Sequence, residues 1–226
     1  MIYKINKLAP DLWAIEEDMV RCFLIHGERG TLLIDSCMSG GDEFRSVITA
    51  ITDNAEMQMT VTHTDGDHIG GFEKNDTVLI HPSEYVHLGE PKFTVQPIWD
   101  GDIIKAGNRT LTIKLIPGHT PGSTVFVDYE NKVIFIGDTV SDSNVFMFGK
   151  GRNLSAYIAS LKLIRKEFDG FEFYACHGSA VLPYTLVSAH IECAEKLLNG
   201  EIEGVIPPFD LPCKLYSYNG ANLLFK

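Results

Sequence analysis

Apolar and polar positions alternate through the first third of the chain, the period of strands with one face buried. Residues 2–7 and 12–16 are short strand candidates separated by the turn signal Ala9-Pro10-Asp11. Residues 21–26 and 31–35 flank Gly27-Glu28-Arg29-Gly30 and read as a hairpin. The period then lengthens. Phe44, Val47, Ile48 and Ile51 fall at helical spacing and predict a helix over 41–53, followed by a short buried strand at 57–62 (MQMTVT). Beyond it come a strand at 77–80 and a short helix at 82–88 that starts on Pro82. Further strands are expected at 94–99, 102–105, 109–116, 123–129 and 132–136, with turn residues between them. Tyr157, Leu161, Ile164 and Phe168 mark the clearest helix, 153–168, with Asn153 or Ser155 as its cap. A strand at 171–175, a helix at 183–198 stopped by Asn199-Gly200, and a terminal hairpin (215–218 and 223–225) complete the chain. Strands and helices alternate in both halves with no low-complexity linker. The pattern predicts an α/β (α+β) chain forming a single domain over 1–226, without a repeat of fixed period.

The ends of these strands carry the chemistry. Residues 62–71, THTDGDHIGG, hold His63, Asp65, Asp67 and His68 within six positions, directly after an apolar strand. Such a run is of little use as core, because buried charges need partners or a metal. The following Gly70-Gly71 suits a tight turn or a close backbone approach. His119 stands at the tip of PGHTPG, fixed by proline and glycine on both sides; Asp138 follows an apolar strand in Gly137-Asp138-Thr139; His177 ends another in Cys176-His177-Gly178. Asp35 also ends an apolar strand and is either a site residue or a backbone hydrogen-bond acceptor in the loop, the second being favoured. His81, His87 and His190 have no second ligand-type residue at metal-site spacing and are expected on surfaces or loops.

Composition narrows the classes. Nineteen Lys and Arg against thirty Asp and Glu give a net charge of −11, with no basic run. That argues against nucleic acid or an anionic membrane as partner, and no stretch approaches the ~20 apolar residues of a membrane span. The five cysteines are scattered and form no C-x-x-C, and the first residues contain no apolar leader, so a cytoplasmic protein is expected. Cys176, beside His177, is expected to be a packed strand-end residue and not a ligand.

Imidazoles and carboxylates together suit a first-row divalent metal. Seven such side chains exceed the needs of one tetrahedral ion, so two adjacent ions are the natural count, with one carboxylate between them. Two ions a few ångströms apart indicate hydrolysis by metal-bound hydroxide, and no G-x-S-x-G is present.

These residues resemble the metallo-β-lactamase-fold hydrolases: THTDGDHIGG is similar to the H-x-H-x-D-H loop, PGHTPG to the next histidine motif, GDT to the bridging aspartate and CHG to the last histidine. The resemblance implies a four-layer αβ/βα sandwich with metals in a cleft along one edge. It implies that His63, Asp65 and His119 hold one metal, that Asp67, His68 and His177 hold the other, and that Asp138 bridges them. Asp67 would serve catalysis. One position departs from the pattern. Asp65 stands where the family has its second histidine, and the flavodiiron members carry a glutamate there. Three carboxylates against +4 from two divalent ions leave +1, one unit below the all-histidine pattern, which moves the preference from zinc toward iron or manganese. Zinc remains the expected metal.

Three readings follow. The leading one is hydrolysis of a small-molecule ester, thioester or lactone, as in glyoxalase II and lactonase-like members, with Lys150 and Arg152 as candidate contacts to an anionic substrate group. The second is a di-iron redox protein reducing oxygen or nitric oxide. The 49 residues after His177 (226 − 177) are too few for a flavodoxin-like domain, so it would need a separate electron donor. The third is a non-catalytic metal-binding scaffold.

Overall fold

A computed structural model of the chain describes residues 3–226. Its strands are β1 (Tyr3–Ala9), β2 (Leu12–Glu17), β3 (Val20–Gly27), β4 (Gly30–Ile34), β5 (Met57–Thr60), β6 (Thr77–Ile80), β7 (Thr94–Pro97), β8 (Ile103–Ala106), β9 (Arg109–Leu115), β10 (Thr124–Asp128), β11 (Val133–Gly137), β12 (Asn144–Phe146), β13 (Glu172–Ala175), β14 (Val181–Leu182), β15 (Lys214–Tyr218) and β16 (Ala221–Phe225). The helices are α1 (Asp42–Thr52), α2 (Gly66–Ile69), α3 (Tyr85–Leu88), α4 (Leu154–Glu167) and α5 (Thr185–Leu198), with a 3₁₀ turn at Pro82–Glu84. The first expected strand begins at Ile2, which lies outside the described residues.

β1 to β7 form one sheet in sequence order, antiparallel up to β4 and parallel from there. The second sheet runs β14-β13-β11-β10-β9-β8, with β11 and β13 parallel across the α4 connection. Alternation along the strands divides the core into three layers. In β3, Cys22 and Leu24 face α1 together with Phe44, Val47 and Ile48, while Phe23 and Ile25 face the other sheet. In β10 and β11, Phe126, Val133 and Phe135 meet Phe23 between the sheets, while Val125, Val127, Ile134 and Ile136 pack under α4 and α5. Helix, sheet, sheet, helix is the expected αβ/βα sandwich. Each large central side chain, such as Phe23 or Phe135, contributes about 1.5–3 kcal/mol on leaving water. The buried Arg109 ties the sheets further, pairing Asp11 of the β1–β2 turn at 2.8 Å and Asp128 of β10 at 3.1 Å.

The structure adds an element with no clear alternation to announce it. β12 pairs parallel with β16, so the expected terminal hairpin becomes part of a three-stranded sheet over α5. The single turn of α2 and the two-residue β14 are likewise not expected, and the remaining elements fall within a few residues of expectation. Asn153 does cap α4, accepting from the Ala156 N–H at 2.9 Å. Among the described residues no helix is long and apolar enough to cross a membrane.

Candidate metal centre

The sequence around residue 65 folds so that four consecutive ligand types face one point. Asp65 is extended (φ −64°, ψ 148°), so His63 and Asp65, two apart, share one side of the chain. At Gly66 the backbone turns into the single turn of α2, which swings Asp67 and His68 round beside them. The loop is seated tightly: a Cβ at Gly70 would collide with the Met38 carbonyl oxygen. Buried Glu84 clamps it from the other side, accepting from Thr64 N and Thr64 Oγ1 at 2.8 and 2.7 Å and from Gly122 N at 2.7 Å. His119 arrives from the turn after β9, Asp138 from the end of β11 and His177 from the end of β13. Gly137, at φ +57°, has room only for hydrogen, because a Cβ would lie 2.8 Å from the Thr62 side chain.

All seven predicted ligands converge. His63 Nε2 lies 3.1 Å from His119 Nε2, and Asp65 Oδ2 lies 3.4 and 3.3 Å from the two. On the other side His177 Nε2 is 3.1 Å and His68 Nε2 3.7 Å from Asp67 Oδ2. Asp138 stands between the groups, its Oδ1 3.4 Å from His68 Nε2 and its Oδ2 3.2 Å from His177 Nε2 and 3.9 Å from both His63 and His119. Donor atoms about 2.0–2.1 Å from a tetrahedral ion lie about 3.3 Å from one another, so these spacings are those of ligand edges. Both His68 nitrogens and Asp138 Oδ1 are buried without a hydrogen bond of good geometry. Buried polar atoms left in that state are costly unless something else binds them. The residues therefore fit two divalent ions.

The surrounding residues aim the rings. Thr62 Oγ1 sits 3.0 Å from His63 Nδ1 and donates to Asp35 Oδ2 at 3.0 Å, while His68 Nδ1 approaches the same Asp35 oxygen at 3.2 Å. Asp35 also accepts from Thr62 N at 2.7 Å, so it is both the loop acceptor expected and a support for one ring from each group. His177 Nδ1 contacts the Met19 carbonyl at 2.7 Å. Cys176 donates its thiol to Asp35 at 3.2 Å, and burial pushes that thiol well above its ordinary value, so it is neutral and occupied. In the ion-free chain burial alone would lower His68 and His177. The Asp138 carboxylate, with Asp35 at His68 and Asp67 at His177, reverses this, holding His68 well above its ordinary value and His177 up to about 10. His119 goes the other way, lowered chiefly by burial.

A family model for the metallo-beta-lactamase superfamily matches residues 15–167. The chain belongs to that superfamily. It is 28% identical to acyl-coenzyme A thioesterase MBLAC2 of Gallus gallus over 65% of this chain and 67% of that one. The bovine and human counterparts are matched over 55% and 50% of their length, so the alignments span about half to two thirds of these relatives. A hydroxyacylglutathione hydrolase of Francisella tularensis subsp. tularensis is 27% identical over 54% of this chain and 48% of that one. Among solved structures, a metallo-beta-lactamase from Pontibacter korlensis superposes with a TM-score of 0.70 at 16% identity, covering 85% of this chain and 99% of the other.

In this superfamily member the centre opens into a cavity of about 830 Å³. Asp65, Asp67, Asp138 and His177 face it, its apolar wall includes Met19, Val20, Met38, Phe146, Phe209 and Leu211, and Glu16, Asp18 and Asp210 also line it. Arg21 is the one Lys or Arg among the described residues lining it, and it is spent on Glu16 and on the Ala175 and Gly178 carbonyls. The two substrate candidates separate here. Neither lines the cavity: Lys150 is exposed in the loop before α4, while Arg152 is turned inward and its Nη2 donates to Asp65 Oδ2. His81 and His190 correct the sequence reading, for both are buried. His81 accepts from Ser83 N at 3.2 Å, capping the 3₁₀ turn. His190 lies 3.1 Å from the Tyr157 hydroxyl and 2.8 Å from the Ser141 carbonyl, bracing the segment after Asp138, and burial lowers it to about 4. Sequence reasoning missed Glu84, Met19 and Phe209 as parts of the site.

Proposed function

We propose that the protein is a hydrolase of small thioesters, esters or lactones that uses two divalent ions, zinc first among them. The observation that carries this is the pair of three-ligand groups meeting at Asp138 and presenting their carboxylates to an apolar-walled cavity. The named activities of the thioesterase and hydroxyacylglutathione hydrolase relatives support a thioester. Ions held by His63, Asp65 and His119 and by Asp67, His68 and His177, with Asp138 between, would polarise the scissile carbonyl and make water a nucleophile near neutral pH. The chain's own part is orientation. Asp67 faces the cavity and is placed to hold the proton of the attacking water, while Met19, Phe146 and Phe209 seat an apolar acyl group and keep bulk water from it. With Arg21 committed and Asp18 and Asp210 on the wall, no Lys or Arg among the described residues lining the cavity is free to hold an anionic group, so an uncharged, apolar acyl group suits it best.

The test is direct. Protein stripped by chelator and reloaded with zinc is assayed on an acyl thioester of an uncharged thiol, an aryl ester and a lactone. Zinc-dependent turnover of at least one supports the reading; a zinc-loaded protein inert to all three contradicts it.

A further inference from the structure

Arg152 has a place that neither its sequence nor a solvated loop explains. It lies immediately before Asn153, the residue that caps α4, and Asn153 N donates to the Gly118 carbonyl at 2.9 Å, pinning this segment to the turn that carries His119. A cation beside a helix N-terminus meets the positive end of the helix dipole, an unfavourable position unless something else holds it there. What holds it is Asp65, the one carboxylate it pairs with among the described residues. Its side chain is only 11% exposed, and its Nε is buried without a partner. The guanidinium reaches the same oxygen, Oδ2, that faces His63 and His119.

We infer that Arg152 is a positioning residue that makes Asp65 the electrostatic equivalent of a neutral imidazole at the first ion. Two divalent ions and the carboxylates of Asp65, Asp67 and Asp138 sum to +1. With a histidine at position 65 the sum is +2, and Asp65 together with Arg152 returns it to +2. The aspartate and the arginine, 87 residues apart in sequence, are thus one unit: the carboxylate supplies the donor atom, and the guanidinium removes its charge and fixes its orientation. The inference rests on the two-ion reading of the centre and extends it.

The test is a charge cycle read by zinc affinity alone, in competition with a chromophoric chelator at fixed pH and salt. Arg152→Met leaves the carboxylate uncompensated and raises overall zinc affinity roughly tenfold or more, since a unit charge a few ångströms away acts strongly in a largely buried site. Asp65→His with Arg152 retained carries one positive charge too many and lowers affinity by a similar factor. The double variant Asp65→His/Arg152→Met restores the sum and falls between the two, within about threefold of the parent. Arg152→Lys, which keeps the charge, also stays near the parent. The result that overturns the inference is a double variant no closer to the parent than the single variants, or an Arg152→Met protein that binds zinc no more tightly than the parent. If the parent itself takes up no zinc, the two-ion reading fails instead, and the two failures are distinguishable. Thermal melting of the ion-free proteins identifies any variant that has not folded.

Discussion

In the group of His63, Asp65 and His119 the carboxylate is tied to a guanidinium and His119 Nδ1 is buried without a partner. In the group of Asp67, His68 and His177 neither carboxylate nor ring meets a lysine or arginine among the described residues; His68 is backed by Asp35 and His177 by the Met19 carbonyl. The two groups use the same residue types at similar spacings, yet their surroundings prepare them differently for an ion. In the first, the Arg152 guanidinium offsets the Asp65 carboxylate and burial lowers His119. The second holds two imidazoles that the neighbouring carboxylates keep protonated until an ion displaces the proton. Ligand identity therefore describes only part of a centre, and the rest lies one contact further out.

The two groups depend on each other most at Asp138, the carboxylate both share. Asp138→Ala should lower hydrolysis about 1,000-fold or more and reduce bound zinc below two per chain, as read by elemental analysis beside the kinetics. Asp67→Ala should separate the groups, losing hydrolysis to a similar degree while one zinc remains in the first. Retention of both zincs in Asp67→Ala would show that the groups do not act as two sites.

Asp35→Asn should act on both groups at once, because Asp35 reaches His63 through Thr62 and His68 directly. The expected loss is about 10–100-fold in zinc affinity, measured by chelator competition. The groups should also differ in their response to pH. His177, at about 10 in the ion-free chain, must give up a proton to bind. Zinc affinity at the second group should therefore rise with pH from 7 toward 10, by about tenfold per unit for each proton released, and affinity at the first should rise less. Competition titrations on Asp67→Ala and on the parent across that range separate the two slopes.

The smallest effect is at His190, which supports the segment after Asp138 without touching the ligands. The folded chain keeps this imidazole neutral down to about pH 4, whereas the unfolded chain takes up a proton near 6.5. Stability from this group is complete above about pH 6.5 and is lost as pH falls toward 4, by about 3 kcal/mol in all. His190→Asn should lower stability at neutral pH, and its denaturation midpoints should fall less steeply than the parent's below pH 6.5.

Much of this was legible in the sequence for a physical reason. His63, Asp65, Asp67 and His68 are a local cluster, and strand ends at His119, Asp138 and His177 follow apolar runs whose period fixes where they stop. Strand alternation likewise carries the layer assignment of Phe23 against Leu24. What could not be read is non-local. Nothing in residues 150–153 says that Arg152 will meet Asp65, because that contact depends on how the α4 cap docks on the His119 turn. His190 has no second ligand-type residue at metal-site spacing and reads as surface, although Leu186, Val187, Cys193 and Ala194 put it on the buried face of α5, where the Tyr157 hydroxyl meets it. β12 has three residues and no partner near it in sequence, so periodicity had too little to act on.

The most direct test of a two-ion centre is zinc stoichiometry in stripped and reloaded protein, with Asp138→Ala measured alongside. Two zincs per parent chain, and fewer than two in Asp138→Ala, is the predicted result. One zinc or none in the parent, or an Asp138→Ala protein that still holds two, would contradict a centre built from two ligand groups sharing one carboxylate.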